Sequence, residues 1–163
     1  MNMSVSRTVF GAVVLACAGL MGFGLYLQHV QGLEPCPLCI LQRLAFIGCG
    51  LVALAGALHD PAGWGRRAYA ALLIAVSGAG GGVAARQVWL QLNPPRTLSC
   101  GADMEYLLDS FPLTQALPMI FRGTGDCAKV QWTFLGISIP GWAFVCFLAI
   151  CGAAVWLAFR RRP

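Results

Sequence analysis

Residues 140–159 read PGWAFVCFLAICGAAVWLAF, an uncharged apolar segment long enough to decide the fold class. As an α-helix of about 20 residues it would be about 30 Å long, which matches the hydrocarbon thickness of a bilayer. Three further apolar segments of similar length precede it, at about 8–28, 40–58 and 68–90. Because lipid offers no hydrogen-bond partners to the backbone, each segment is predicted to be a helix. The sequence therefore predicts an all-α membrane protein, with a single four-helix transmembrane bundle over residues 1–163.

The overall composition agrees with this class and excludes others. Hydrophobic residues make up 58% of the chain and charged residues 10%, and the mean hydropathy is +0.73. Since an ordinary soluble domain carries about 25% charged residues, the chain lacks the polar surface of a water-soluble globule. It is also far too apolar for intrinsic disorder. A net charge of +5 with scattered arginines and a single lysine argues against a nucleic-acid partner.

The charges between the four segments predict their orientation. One set of ends carries six arginines against one aspartate (Arg7, Asp60, Arg66–Arg67 and Arg160–Arg162). The opposite connections, at about 29–39 and 91–139, are each net negative. The positive-inside rule therefore places both termini in the cytoplasm and these two connections outside it. The two connections would then be loops on the outer side of the membrane.

The eight cysteines divide by their predicted depth in the membrane. Four lie within the apolar segments, where a thiol packs as a small apolar side chain: Cys17, Cys49, Cys146 and Cys151. The other four lie in the outer connections, two in each: Cys36 and Cys39, then Cys100 and Cys127. Because that compartment is oxidising, we expect these four thiols to form disulfides.

Four cysteines allow three pairings, of which Cys36 with Cys39 is the natural close pair. Two structural disulfides are one interpretation of the outer cysteines. It is weakest for Cys36–Cys39, because closing a ring over two residues restricts the unfolded chain little, and such pairs are usually redox-active. A zinc site is a third interpretation, but it requires reduced thiols, and the Cys100 and Cys127 pair lacks the short spacing common among zinc ligands. We therefore expect no metal.

The sequence around Cys39 favours chemistry at this position. Pro37 is suited to the first turn of a helix, so Cys39 is predicted at the start of the second helix, where the positive end of the helix dipole favours a thiolate. Arg43 follows Cys39 by four residues and so lies on the same helical face. A cation at that depth in a membrane is a candidate functional group, although it could also extend to the lipid head groups.

Four motifs stand out together: residues 35–43 (PCPLCILQR), 91–95 (QLNPP), 125–128 (GDCA) and 131–136 (QWTFLG). They resemble the DsbB family of bacterial inner-membrane thiol:quinone oxidoreductases, which implies that the two outer connections are periplasmic loops. With the four predicted helices, the resemblance covers nearly the whole chain. One departure is Gln87, which stands where some family members carry a histidine after the arginine of the third helix. Any role of that histidine does not carry over, and the role of Arg86 stays open.

The resemblance implies a path for electrons, and this path is an expectation. A reduced periplasmic thioredoxin-like dithiol oxidase of the DsbA type would attack the disulfide of the second loop at Cys100, with Cys127 as its partner. The electrons would then pass to the Cys36–Cys39 pair. Cys39 would engage a bound quinone, ubiquinone or menaquinone from the membrane pool, and Arg43 would polarise the quinone oxygen. This activity would support periplasmic disulfide bond formation.

Two other functions compete with this interpretation. A quinone-linked reductase of the vitamin K epoxide reductase kind also combines a helix bundle with a C-x-x-C motif at the membrane edge. A non-enzymatic four-span scaffold of the tetraspanin kind would carry structural disulfides in its large outer loop. The loop lengths and the context of the second cysteine pair favour the DsbB interpretation over both.

Overall fold

The computed structural model describes residues 5–94 and 125–160, with no account of the side chains of residues 125 and 126. Four long helices dominate it, with a short helix and a small hairpin between the last two. In chain order the elements are α1 (Val5–His29), α2 (Pro37–His59), α3 (Trp64–Leu92), α4 (Gly125–Ala128), β1 (Thr133–Phe134), β2 (Ile137–Ser138) and α5 (Ile139–Phe159).

The four long helices confirm the four predicted spans. All four are long and apolar enough to cross a membrane. Each begins earlier than predicted, and α1, α2 and α3 also end later, because their polar or aromatic ends continue the helix past the apolar core. The longest, α3, has 29 residues, about 44 Å of helix, which exceeds a hydrocarbon thickness of about 30 Å.

Long helices that follow one another along the chain pack together, whereas the first and the last make few contacts with each other. Helix α2 packs against α1 and α3, and α3 packs extensively against α5, whereas α1 and α5 touch at only a few residues. The core lies between these helices, around Phe10, Phe46, Leu73 and Phe147. The gap between α1 and α5 opens at the end of the bundle that carries Cys36, which we call the cysteine end.

Gly80 in α3 allows this helix to approach its neighbours closely. A Cβ atom added at Gly80 would lie 2.5 Å from the ring of Phe147 on α5 and 2.8 Å from the Cβ atom of Ala45 on α2. The Phe147 ring is stacked on Phe46, with 4.0 Å between centroids. Small residues at helix contacts are typical of membrane bundles, since they let the backbones approach.

The hairpin of β1 and β2 lies at the cysteine end, directly before α5, and was not predicted. Thr133 pairs with Ser138 and Phe134 with Ile137 in antiparallel register. The two turn residues both have positive φ, 52° at Leu135 and 79° at Gly136, as a type I′ hairpin turn requires. The turn could not be predicted from the sequence because Leu135 precedes the glycine, where asparagine or aspartate is the usual residue of such a turn.

Candidate functional site

The start of α2 brings the first cysteine pair together. Cys36 is the N-cap residue with an extended backbone, and Pro37 begins the helix as predicted. The amide of Ile40 donates to the Cys36 carbonyl over 3.1 Å, which closes the first turn. Cys39 therefore lies in the first turn of α2, at the start of the second helix as predicted, so the predicted loop 29–39 extended three residues too far. The Sγ atom of Cys39 is 3.4 Å from that of Cys36.

The short helix α4 brings a cysteine of the second connection to this pair. Cys127 is fully buried and packs with Cys36, Leu38 and Leu90 in a small apolar cluster. Hydrogen bonding with the Cys127 and Cys39 sulfur atoms, together with burial, raises the pKa of the Cys36 thiol. The structure thus joins three of the four predicted outer cysteines, Cys36, Cys39 and Cys127. The fourth, Cys100, lies outside the described residues, so its pairing with Cys127 stays a prediction.

Two glutamines complete the sulfur site, and sequence reasoning missed their part in it. The Nε2 group of Gln87, on α3, donates to Cys36 Sγ over 3.3 Å and to Cys39 Sγ over 3.2 Å. Its Oε1 atom accepts a 2.7 Å hydrogen bond from Gln42 Nε2 on α2. Both side chains are buried, with exposed fractions of 3% and 4%. The sequence did show that both are polar residues within apolar segments. Because a polar side chain inside a membrane is costly, such residues are candidates for a functional role.

Arg43 is held inside the bundle rather than extended to lipid head groups. Its Nη1 group donates to Gln28 Oε1, and its Nη2 group donates to the carbonyl of Gly24 over 3.0 Å. Both acceptors belong to α1, so Arg43 links α1 to α2 one turn below Cys39. By contrast, Arg86 is exposed on α3, although its neighbour Gln87 is buried against the sulfurs.

An apolar cavity of about 530 Å³ adjoins the sulfur site in the gap between α1 and α5. Cys39 and Arg43 both line it, so the structure brings these two candidate residues to one cavity. The hairpin side of the cavity is aromatic: Trp132 lies edge-on to Phe23 and stacks on Phe134 at 6.0 Å. Trp142 donates its indole N–H to the Phe134 carbonyl over 3.0 Å, which ties the hairpin to α5.

The four cysteines within the helices behave mostly as predicted. Cys17 and Cys49 are buried in the core, and Cys146 packs against it from a partly buried position. Cys151 is partly exposed on α5. Cys146 also lines the apolar cavity, which its position in the sequence did not suggest.

Comparison with known proteins agrees with this arrangement. A family model described as "Disulfide bond formation protein DsbB" matches residues 6–157. The chain belongs to the DsbB family. Proteins named "Disulfide bond formation protein B" are similar over almost their whole length. That of Azoarcus sp. is 56% identical over 156 residues, covering 96% of this chain and 94% of the relative. That of Aromatoleum aromaticum is 54% identical over 157 residues, covering 96% and 95%.

DsbB membership turns the resemblance seen in the sequence into a family assignment. The chain is a multi-pass inner-membrane protein of disulfide bond formation, with four membrane-spanning helices and cysteines at one end of the bundle. A disulfide-forming redox protein of this kind is not a scaffold with inert disulfides. The assignment also favours DsbB chemistry over that of a vitamin K epoxide reductase.

Proposed function

We propose that this DsbB-family protein is a thiol:quinone oxidoreductase that reoxidises a periplasmic thioredoxin-like dithiol oxidase of the DsbA type. The observation that carries the proposal is a series of neighbouring groups. Cys127 packs on Cys36, Cys36 Sγ lies 3.4 Å from Cys39 Sγ, and Cys39 lines an apolar cavity beside Arg43. Electrons entering at the second connection can therefore reach the cavity by exchange between adjacent sulfurs.

The exchange starts from two disulfides, Cys100–Cys127 and Cys36–Cys39. A thiolate of the partner attacks Cys100 and releases the Cys127 thiolate, and the partner's second thiol then attacks its own mixed-disulfide sulfur and frees Cys100. The Cys127 thiolate attacks Cys36, so a Cys36–Cys127 bond forms and Cys39 leaves as a thiolate. Cys100 finally attacks Cys127, which restores their disulfide and releases Cys36. The partner has lost two electrons and two protons, and Cys36 and Cys39 have gained them.

The reduced pair has an unequal distribution of charge that suits the next step. Because contact with neighbouring sulfurs and burial raise the pKa of Cys36, its sulfur keeps a proton. The negative charge then resides on Cys39, at the N-terminus of α2 and beside the Gln87 amide donor. This places the more nucleophilic sulfur of the pair on the wall of the cavity.

The cavity fits a quinone by its size and lining. Its volume of about 530 Å³ lies within the range of small-molecule sites, and its walls are largely apolar, with the cation of Arg43 among them. When bound, a quinone supplies a two-electron, two-proton acceptor. Arg43 would hold an oxygen of the ring, and Cys39 would face the ring. Ubiquinone and menaquinone both meet these requirements.

The energetics favour a membrane acceptor of this kind. A DsbA-type oxidase is a strong oxidant, with a reduction potential of about −120 mV. Its reoxidation therefore needs an acceptor of higher potential, which the quinone pool provides. An acceptor dissolved in the bilayer reaches the gap between α1 and α5 laterally, without crossing the outer connections.

We further propose that the cysteine end of the bundle faces the periplasm and that both termini are cytoplasmic. The arginine excess at the opposite end supports this orientation. The indole rings of Trp89 and Trp142 at the cysteine end, and of Trp64 and Trp156 at the other, suit the two membrane interfaces. The partner and the sulfur site would then share one compartment.

The decisive experiment mixes the purified protein anaerobically with a reduced DsbA-type dithiol and a soluble ubiquinone analogue, and follows the quinone absorbance. We expect one quinone reduced per dithiol oxidised. Cys49→Ser, in the core, serves as the matched control and should turn over normally. An unchanged quinone spectrum with full dithiol retention would refute the proposal. Trapping of the partner as a mixed disulfide should require Cys100. A mixed disulfide on Cys127 instead would reverse the roles assigned to these two cysteines.

A further inference from the structure

Gln87, on α3, donates hydrogen bonds to both atoms of the sulfur pair. Its Nε2 group is 3.3 Å from Cys36 Sγ and 3.2 Å from Cys39 Sγ. At 3% exposure the amide has no access to bulk water as an alternative partner. A buried amide that donates to two sulfurs is suited to hold negative charge on one of them, since hydrogen bonds to charged groups are stronger than neutral ones.

Gln42 determines which way the Gln87 amide points. Its own Nε2 group donates to Gln87 Oε1 over 2.7 Å, and it is 4% exposed. With Gln42 donating, a reversed Gln87 amide would bring two N–H groups face to face, so this hydrogen bond favours the orientation that directs Gln87 Nε2 at the sulfurs. The same Oε1 atom lies 3.6 Å from Cys39 Sγ, within reach of the protonated thiol. The amide can therefore meet Cys39 as a thiol or as a thiolate.

We propose that Gln87 is a catalytic residue of the sulfur exchange, because its Nε2 group stabilises Cys39 as the leaving thiolate, and that Gln42 is its positioning residue. The inference rests on the proposed function for the direction of electron flow. When the Cys127 thiolate bonds to Cys36, the Cys36–Cys39 bond breaks and its electron pair departs on Cys39. The Gln87 donor is already at that sulfur, so no reorganisation is needed when the charge develops.

Other ionisable groups also surround Cys39, and any measurement of its reactivity contains their effects. Those in the described structure that contact it or line the adjoining cavities are Cys36, Cys127, Glu34, Arg43, Lys129 and Cys146. A neutral substitution at Gln87 or Gln42 leaves every one of these groups in place. The difference in Cys39 reactivity between variant and wild type therefore reports the effect of the amide alone.

The test measures the alkylation rate of Cys39 by iodoacetamide in the fully reduced protein across pH, with peptide mass spectrometry to quantify the label. Gln87→Met keeps the side-chain length and removes the donor. We expect alkylation at neutral pH to slow about tenfold and the midpoint of the profile to rise by about one pH unit, the low end for a hydrogen bond to a charged group.

Two further variants separate this role from a packing role. Gln42 acts on the sulfurs through its hydrogen bond to Gln87 Oε1. Gln42→Met should therefore shift the profile in the same direction by less, and the double variant should match Gln87→Met. Gln91→Met, one turn along α3, removes an amide that accepts a 2.7 Å hydrogen bond from Ser138 Oγ, and it should leave the profile unchanged.

A Gln87→Met profile that overlaps the wild type would overturn the inference, and so would an equal shift in Gln91→Met. Additive shifts in the double variant would remove Gln42 as the positioning residue. The alkylation assay needs neither quinone nor partner, so a negative result in it would not bear on whether the protein reduces quinone. Equally, a protein that failed to reduce quinone could still show the expected alkylation profile, so the two proposals can fail separately.

Discussion

Replacement of Gly80 by alanine tests whether close packing of α3 sets the geometry of the bundle. The added Cβ atom would lie 2.5 Å from Cε1 and Cζ of Phe147 and 2.8 Å from Cβ of Ala45. Ordinary carbon contacts are about 3.5–4.0 Å, so roughly 1 Å of space is missing. Phe147 is 1% exposed and stacked on Phe46, so its ring has no free space to enter.

The expected cost follows from this geometry. Overpacking a well-packed site costs about 1–3 kcal/mol. Alanine also improves helix propensity over glycine by up to about 1 kcal/mol, which offsets part of the cost. Gly80→Ala should therefore destabilise the protein by about 1–2 kcal/mol. Gly78→Ala is the matched control, since a Cβ atom there meets nothing within 4 Å, and it should be neutral or slightly stabilising.

The assay is unfolding in mixed micelles with increasing denaturing detergent, followed by circular dichroism for both variants and the wild type. We expect shifts of opposite sign, or a loss of stability confined to Gly80→Ala. Equal midpoints for all three proteins would show that α3 does not approach α2 and α5 as closely as described. A destabilised Gly78→Ala would show that the penalty comes from the helix itself rather than from its neighbours.

The remaining predictions concern the cavity and the membrane. Cys39→Ser should abolish quinone reduction because it removes the sulfur on the cavity wall, as stopped-flow absorbance can check; normal turnover would exclude Cys39 as the quinone-facing thiol. Arg43→Met should raise the KM for quinone at least tenfold while that for the dithiol partner stays constant, since a contact to a charged group is worth about 1.5–3 kcal/mol; equal losses for both substrates would indicate a structural role through Gln28. A reporter enzyme that is active only in the cytoplasm should be active when it is fused to the connection between α2 and α3 or to the C-terminus. Activity of a periplasm-specific reporter at either position would reverse the proposed orientation.

The number and extent of the long helices could be read from the sequence because the bilayer imposes them. A backbone in hydrocarbon has to form its own hydrogen bonds, and about 20 apolar residues span the membrane. The ends were less predictable, because the helices continue into polar or aromatic residues that composition alone assigns to loops. Trp64 and Arg66 at the start of α3 are the clearest example.

The position of Cys39 was also accessible from the sequence, since a C-x-x-C motif at a helix start with arginine one turn later is a local pattern. In the structure Cys39 and Arg43 line the same cavity. The contributions of Gln42 and Gln87 were not accessible, because 45 residues of chain separate two side chains whose atoms lie 2.7 Å apart. The hairpin turn was missed because Leu135 takes a backbone conformation that leucine rarely adopts.

By itself the sequence determined what depends on periodicity, length and neighbouring residues: the four spans, their charge asymmetry and the placing of a cysteine pair at the start of α2. Only the tertiary structure decided which distant groups meet, namely Cys127 against Cys36, Gln87 against both sulfurs, and Arg43 against α1. The physical reason is that these contacts depend on how helices rotate and approach one another. That arrangement is set by the packing of whole surfaces, as at Gly80 and Phe147, and leaves no local pattern in the chain.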